Sequence, residues 1–259
     1  MSGKGGVGKS TVTANLAAVL ARRGLAVGIL DGDINSSSIA RVMGVLGADI
    51  AQSNGGISPA VAEPGVKVMS VDLFLSKDGA PVLWDAPTQK DAFTWRTMME
   101  MAALREFLSD TDWGVLDYLL IDLPPGTDRL PNVADIVPRL AGSIVVTIPS
   151  EISQFVVQKA VRMATDVTGA PIIGIIENMA SHVCSHCGHE EALFPDGDVE
   201  ALAQRLGVPY LGRIPFDPRV AAAADRAKPF TREHPDAPAA HAFTRLADAI
   251  VTFRAMVEE

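Results

Sequence analysis

A chain of 259 residues with 48% hydrophobic and 5% aromatic content has the apolar material for a full core, in one domain or two. Its net charge of −9 argues against a surface that tracks nucleic acid or anionic lipid, and no apolar run approaches the roughly 18 residues that span a bilayer. The first ten residues lack the apolar stretch of a secretion signal, and two cysteines make no disulfide framework, so the expected compartment is a reducing cytoplasm.

In chain order, strand and helix signals alternate. A glycine-rich loop opens a helix reaching about Arg23, with Val12, Leu16, Val19 and Leu20 at helical spacing and Gly24 as its stop. Leu25 to Leu30 reads as a buried strand that ends at Asp31. A polar loop with a short helix follows over Ile34 to Gly44, then a Gly/Ser turn and a strand over Val66 to Val71. Phe93 to Leu108 is a helix, and Tyr118 to Leu123 a strand that runs into Pro124-Pro125-Gly126. Strands at Ser143–Ile148, Pro171–Ile176 and Tyr210–Ile214 alternate with helices centred near Val157, Leu202 and Ile250. Such alternation predicts an α/β fold: a doubly wound, mostly parallel sheet with helices on both faces, as one domain over 1–259.

The run Gly3-Lys4-Gly5-Gly6-Val7-Gly8-Lys9-Ser10 matches G-x-x-x-x-G-K-[ST] completely. Glycines permit close backbone approach, so successive N–H groups cradle phosphate, and the following helix points its positive end at the same anion. Lys9 is expected at the β- and γ-phosphates and the Ser10 hydroxyl on Mg²⁺. A P-loop NTPase binding ATP·Mg²⁺ follows. Asp122, at the end of an apolar strand, is placed for the Walker-B role toward the magnesium. Asp31 and Asp33 both sit near the γ-phosphate end, and Asp33 is the favoured residue for orienting the attacking water. One feature is anomalous: a P-loop ordinarily follows a strand, yet only Met1 and Ser2 precede this one. Loss of that strand would leave its neighbours' backbone groups unpaired, so a truncated first strand is the expectation.

Lys4 makes the loop unusual. Lys-Gly-Gly-Val-Gly-Lys-Ser resembles the deviant Walker A of the MinD/ParA/ArsA/nitrogenase-iron-protein class. That resemblance implies that Lys4 reaches the partner's phosphates across a nucleotide-sandwich homodimer, with Lys4, Lys9 and Asp33 carrying hydrolysis. Within the class, nearly the whole chain is similar to Mrp/ApbC-type iron–sulfur carrier ATPases. The likeness rests on Ser2 to Thr11, Asp31-Gly32-Asp33-Ile34, Asp117 to Thr127, Glu177-Asn178-Met179 and Val183-Cys184-Ser185-His186-Cys187-Gly188-His189. It implies a nucleotide site over Gly3 to Thr11 with Asn178, Pro215 and Phe216 near the adenine. It places Mg²⁺ at Ser10, Asp33 and Asp122, and a cluster on Cys184 and Cys187 in an insertion over about 179–195. Three loops depart from the family pattern: Asn35-Ser36-Ser37-Ser38-Ile39-Ala40 replaces Gly-Pro-Ser-Ile-Pro, Asp128-Arg129-Leu130-Pro131 replaces Gly-Asp, and Thr147-Ile148-Pro149-Ser150 replaces Thr-Thr-Pro-Gln. Hydrolysis rate and choice of partner therefore do not carry over.

Two thiolates grip one edge of a metal centre, whereas iron–sulfur clusters and structural zinc want four ligands. A two-fold dimer supplies Cys₄ from Cys184 and Cys187 of both subunits, suited to a bridging [4Fe–4S] cluster. One zinc per chain, completed by His182, His186 or His189, and a redox pair remain as alternatives. The leading function is an ATP-dependent carrier that takes a cluster from an assembly scaffold to apo-proteins. The rival is a spatial-positioning ATPase of MinD or ParA type, and a metabolic kinase ranks third. Against the rival, the last helix ends Val257-Glu258-Glu259, which anionic lipid would repel, so neither membrane nor nucleic acid is an expected partner.

Overall fold

The computed structural model describes the chain apart from residues 3, 54, 76–91, 128, 138, 185, 195, 196 and 259. The first half comprises α1 (Lys9–Arg22), β1 (Val27–Asp31), α2 (Ile39–Val42), the small hairpin β2 (Gln52–Ser53) and β3 (Gly56–Ile57), β4 (Ala60–Ala62), β5 (Val66–Met69), α3 (Ala92–Ser109), β6 (Tyr118–Asp122) and α4 (Arg129–Ile136). The second half comprises β7 (Ser143–Thr147), α5 (Glu151–Arg162), β8 (Ile172–Val183), β9 (Glu190–Ala192), α6 (Val199–Leu206), β10 (Tyr210–Phe216), α7 (Arg219–Asp225), α8 (Phe230–Glu233) and α9 (Pro238–Glu258).

All five residues of β1 are buried, as a central parallel strand requires. It pairs in parallel with β5 and β6, and the register sets Asp31 beside Asp122 at the carboxyl ends. The antiparallel edge strand β4, which the alternation pattern does not announce, closes one side. A second sheet has the order β10-β8-β7, all parallel, with Ile214 paired to Asn178 and Thr147 to Glu177. Helix α1 packs through Val12, Leu16, Val19 and Leu20, together with Ala14, Ala17 and Ala18, which let backbones approach closely. Helix α9 contributes Phe243, Leu246 and Ile250 to the same core, while Phe253 is half-buried.

The sheet is interrupted between β6 and β7, where the strand that ordinarily precedes a P-loop is expected. Among the described residues the amino end lies against the β7 edge: the Met1 nitrogen donates to Ile144 O at 2.6 Å, and Val146 N donates to Met1 O at 2.9 Å. That pairing is the pattern of a parallel neighbour. Gly126 N donates to Ser2 O at 3.1 Å on the other side. Below Met1 a cavity of about 720 Å³ separates the two strand edges, lined by apolar residues including Leu119, Ile121, Ile144, Val12 and Phe253. Among the described residues, no strand pairs with the β6 edge that faces this cavity. Burial of the Met1 ammonium pulls its pKa down to about 6, because a low-dielectric site disfavours the charged form.

The polar loop and short helix expected over Ile34 to Gly44 are present, the helix at Ile39–Val42, where the Asp31 carboxylate accepts from the backbone amides of Ser38 and Ile39. One further difference from the expected elements has a local cause. The strand expected over 171–176 extends to Val183, leaving the sheet as one arm of a hairpin with β9. Its polar residues beyond Ile176 hide that continuation from an apolar-run criterion.

Candidate nucleotide site and cysteine hairpin

The turn from Met1 into α1 needs left-handed backbone at Gly6 (φ 78°) and Gly8 (φ 90°). A Cβ at Gly8 would also lie 2.3 Å from the Asn178 side-chain nitrogen, so both conformation and space demand glycine. The Asn178 amide donates to Val7 O at 2.9 Å within the protein interior. The residue expected near adenine therefore also braces the phosphate loop. Lys4, Gly5 and Gly6 are exposed, Val7 and Lys9 are buried, and Ser10 and Thr11 are half-buried at the amino end of α1. Gly3 lies outside the described residues. Pro215 and Phe216 follow directly on the Ile214–Asn178 pair, which sets them at the same end of the sheet as the loop.

The acidic residues divide by environment. Asp122 is buried, accepts from Thr13 Oγ1 at 3.3 Å, and takes a hydrogen bond from the Ser10 hydroxyl. Burial pushes its pKa up, while Ser10 and the charges of Met1 and Lys9 pull it down. Asp31 is buried too, and its carboxylate is committed to the loop that follows it. It accepts from the N–H groups of Asp33, Ser38 and Ile39 and from the Ser70 hydroxyl. Burial, then the neighbouring Asp122, raises the Asp31 pKa to about 7. Asp33 is half-buried and accepts from Ser36 N at 3.2 Å; burial raises its pKa against the attraction of Lys9 and Arg129. The structure thus sets Lys9, Ser10, Asp33 and Asp122 together around the helix start. An anion cradle beside a hydroxyl–carboxylate set suits a phosphate chain with a hard divalent cation.

One buried acid escaped the sequence reading. Glu100, inside α3, pairs with Arg129 Nη1 at 2.9 Å and accepts from the Asn35 amide. No motif marks it, because its partners are distant in the chain.

The two cysteines lie at the tip of the β8–β9 hairpin. Cys184 N donates to His189 O and Gly188 N to Cys184 O, both at 2.9 Å, folding the tip into a tight turn. Cys184 is half-buried, Cys187 is exposed, and neither forms a disulfide. The N–H groups of Cys187 and then His186 donate to the Cys184 sulfur, pulling its thiol below the ordinary value. Among the described residues, no group of three or more His, Cys, Asp or Glu side chains gathers to hold a metal. The histidines of a one-chain zinc site are not assembled around these thiols.

Comparison with known proteins settles the lineage. Residues 1–251 match the family described as ParA: NUBPL iron-transfer P-loop NTPase. The chain belongs to this family. It is 40% identical over 252 residues to an iron-sulfur cluster carrier protein of Saccharolobus solfataricus, covering 97% of this chain and 81% of the relative. It is 39% identical to a cytosolic Fe-S cluster assembly factor NUBP2 homolog of Trichoplax adhaerens, covering 97% and 92%. Among solved structures, it is similar to a nucleotide-binding protein of Archaeoglobus fulgidus in complex with ADP, at 37% identity and a TM-score of 0.73, covering 88% and 84%. It also resembles the septum site-determining protein MinD of Pyrococcus horikoshii with Mg-ADP, at 25% identity and a TM-score of 0.64, covering 96% and 93%. The α/β architecture of this NTPase family thus agrees with the alternation of strands and helices. Among the described residues, no helix is long and apolar enough to cross a membrane.

Proposed function

We propose that this NTPase is an ATP-dependent iron–sulfur cluster carrier that works as a homodimer in the cytoplasm. Its cargo is a [4Fe–4S] cluster held by Cys184 and Cys187 of both subunits and passed from an assembly scaffold to apo-proteins. In this reading the loop N–H groups and Lys9 bind the phosphates, and Asn178, Pro215 and Phe216 flank the adenine. Ser10, Asp33 and Asp122 hold Mg²⁺, and Asp33 orients the water that slowly hydrolyses ATP. Lys4, exposed at the mouth of the loop, reaches the partner's nucleotide. The names borne by the relatives support the cargo, and the thiol pair on an exposed tip supports its transfer.

One observation carries the coupling of ATP to cargo. Strand β8 is hydrogen-bonded to the phosphate loop through Asn178 and Val7, and the same strand ends at Val183, next to Cys184. From Asn178 to Cys184 the strand spans at most roughly 20 Å, with a kink at Met179 (φ 56°) directly after the residue that holds the loop. In this reading a shift of the loop on nucleotide binding is passed through Asn178 into the segment that leads to the thiols.

Anaerobic reconstitution tests this. The expected product contains about four iron and four labile sulfide per dimer, a stoichiometry set by a Cys₄-ligated cluster. Its broad thiolate-to-iron absorbance disappears in Cys184→Ser with Cys187→Ser. A double variant that keeps the absorbance, or a reconstituted protein that remains a monomer with ATP, rejects the proposal.

A further inference from the structure

Two of the three loops that depart from the family pattern meet on one buried side chain. Asn35, two residues after Asp33, and Arg129, the first residue of α4, both bond to Glu100. Glu100 is 8% exposed, and the Arg129–Glu100 pair stands at 2.9 Å with its side chains 25% and 10% exposed. A carboxylate this buried needs such partners, since an isolated one would cost several kcal/mol. The cluster belongs to the nucleotide end of the fold: Lys9, Arg129 and Glu100 all act electrostatically on Asp33. Through Glu100, the Arg129 guanidinium is tied to Asn35, two residues along the chain from the residue proposed to face the γ-phosphate.

We propose that Arg129 is a phosphate-binding arginine supplied by the chain itself, positioned by Glu100 and locked to the Asp33 loop through Asn35. This rests on the ATPase reading above and adds a catalytic residue to it. In hydrolysis, water attacks the γ-phosphorus and the bond to the β-bridging oxygen breaks. ADP and inorganic phosphate leave, and one proton is released. Charge spreads over the three equatorial oxygens in the transition state, where a planar guanidinium offers paired N–H donors. Lys9, from α1, supplies a point charge; Arg129, from α4, supplies directional donors. Glu100 does not touch the nucleotide. Its carboxylate holds the guanidinium in place while the Asn35 bond ties that placement to the loop carrying Asp33, which makes it a positioning residue.

Steady-state hydrolysis, ATP binding by calorimetry and trapping of ADP with aluminium fluoride test the assignment in the full-length protein. Arg129→Ala is expected to lower kcat at least tenfold and to abolish trapping, with ATP affinity changed less than about threefold, because the contact forms mainly in the transition state. Arg129→Lys restores charge without the fork and recovers only part of the rate. Glu100→Gln keeps a hydrogen-bonding side chain and is expected to lower kcat about threefold to tenfold at unchanged KM. Combined with Arg129→Ala, it costs nothing further, since both act through one group. Arg129→Ala hydrolysing and trapping like the parent overturns the proposal, and so do losses that multiply in the double variant. A parent that binds ATP but neither hydrolyses it nor traps ADP rejects the ATPase reading itself, and this inference falls with it.

Discussion

The phosphate loop and the cysteine hairpin both meet strand β8, the loop through the Asn178–Val7 hydrogen bond and the hairpin as its continuation, yet they are built in opposite ways. The loop is fastened at several points: Asn178 on Val7, Ser10 on Asp122, Met1 on β7, and Gly126 on Ser2. The hairpin tip is held by two backbone hydrogen bonds and a short antiparallel ladder whose β9 residues are all exposed. Binding a small anion tightly rewards preorganised donors, whereas surrendering a cargo requires ligands that another protein can reach. The difference teaches that a braced anion site at the middle of β8 and an accessible thiol pair just beyond its end can be built on one strand.

Substitutions that strike one end and spare the other sharpen this contrast. Lys9→Ala removes a charged partner of the phosphates and is expected to weaken ATP binding about 100-fold, the scale of a hydrogen bond to a charged group. Cluster content after reconstitution should stay unchanged; calorimetry and iron analysis on the same preparation check both. Gly8→Ala adds a Cβ against Asn178 in left-handed backbone and is expected to destabilise the protein by about 2 kcal/mol, read from denaturant midpoints. At the hairpin, Glu191→Ala on exposed β9 should change stability by less than about 0.5 kcal/mol and leave ATP affinity as it was. If Glu191→Ala proves as costly as Gly8→Ala, the contrast between the two ends is wrong.

Much of the site was legible because its chemistry is local. Eight consecutive residues define the phosphate loop, and three apart define the thiol pair, so spacing alone identifies them. Asp122 was legible from its place at the end of an apolar strand. Asp31 was visible as a candidate, but its commitment to Ser38, Ile39 and Ser70 was not, since residues distant along the chain decide it. Glu100 had no signal at all. It is an ordinary helical glutamate until the fold brings Asn35 and Arg129 to it.

The sequence by itself determined the alternation of strands and helices, the anion-binding turn into α1 and the presence of a two-thiol grip, because periodicity and glycine placement are properties of neighbouring residues. Only the tertiary structure decided that β8 joins that turn to the thiols and that two loops share one buried carboxylate. Those facts depend on which distant backbones lie side by side, and strand pairing and burial are set by the packing of the whole chain.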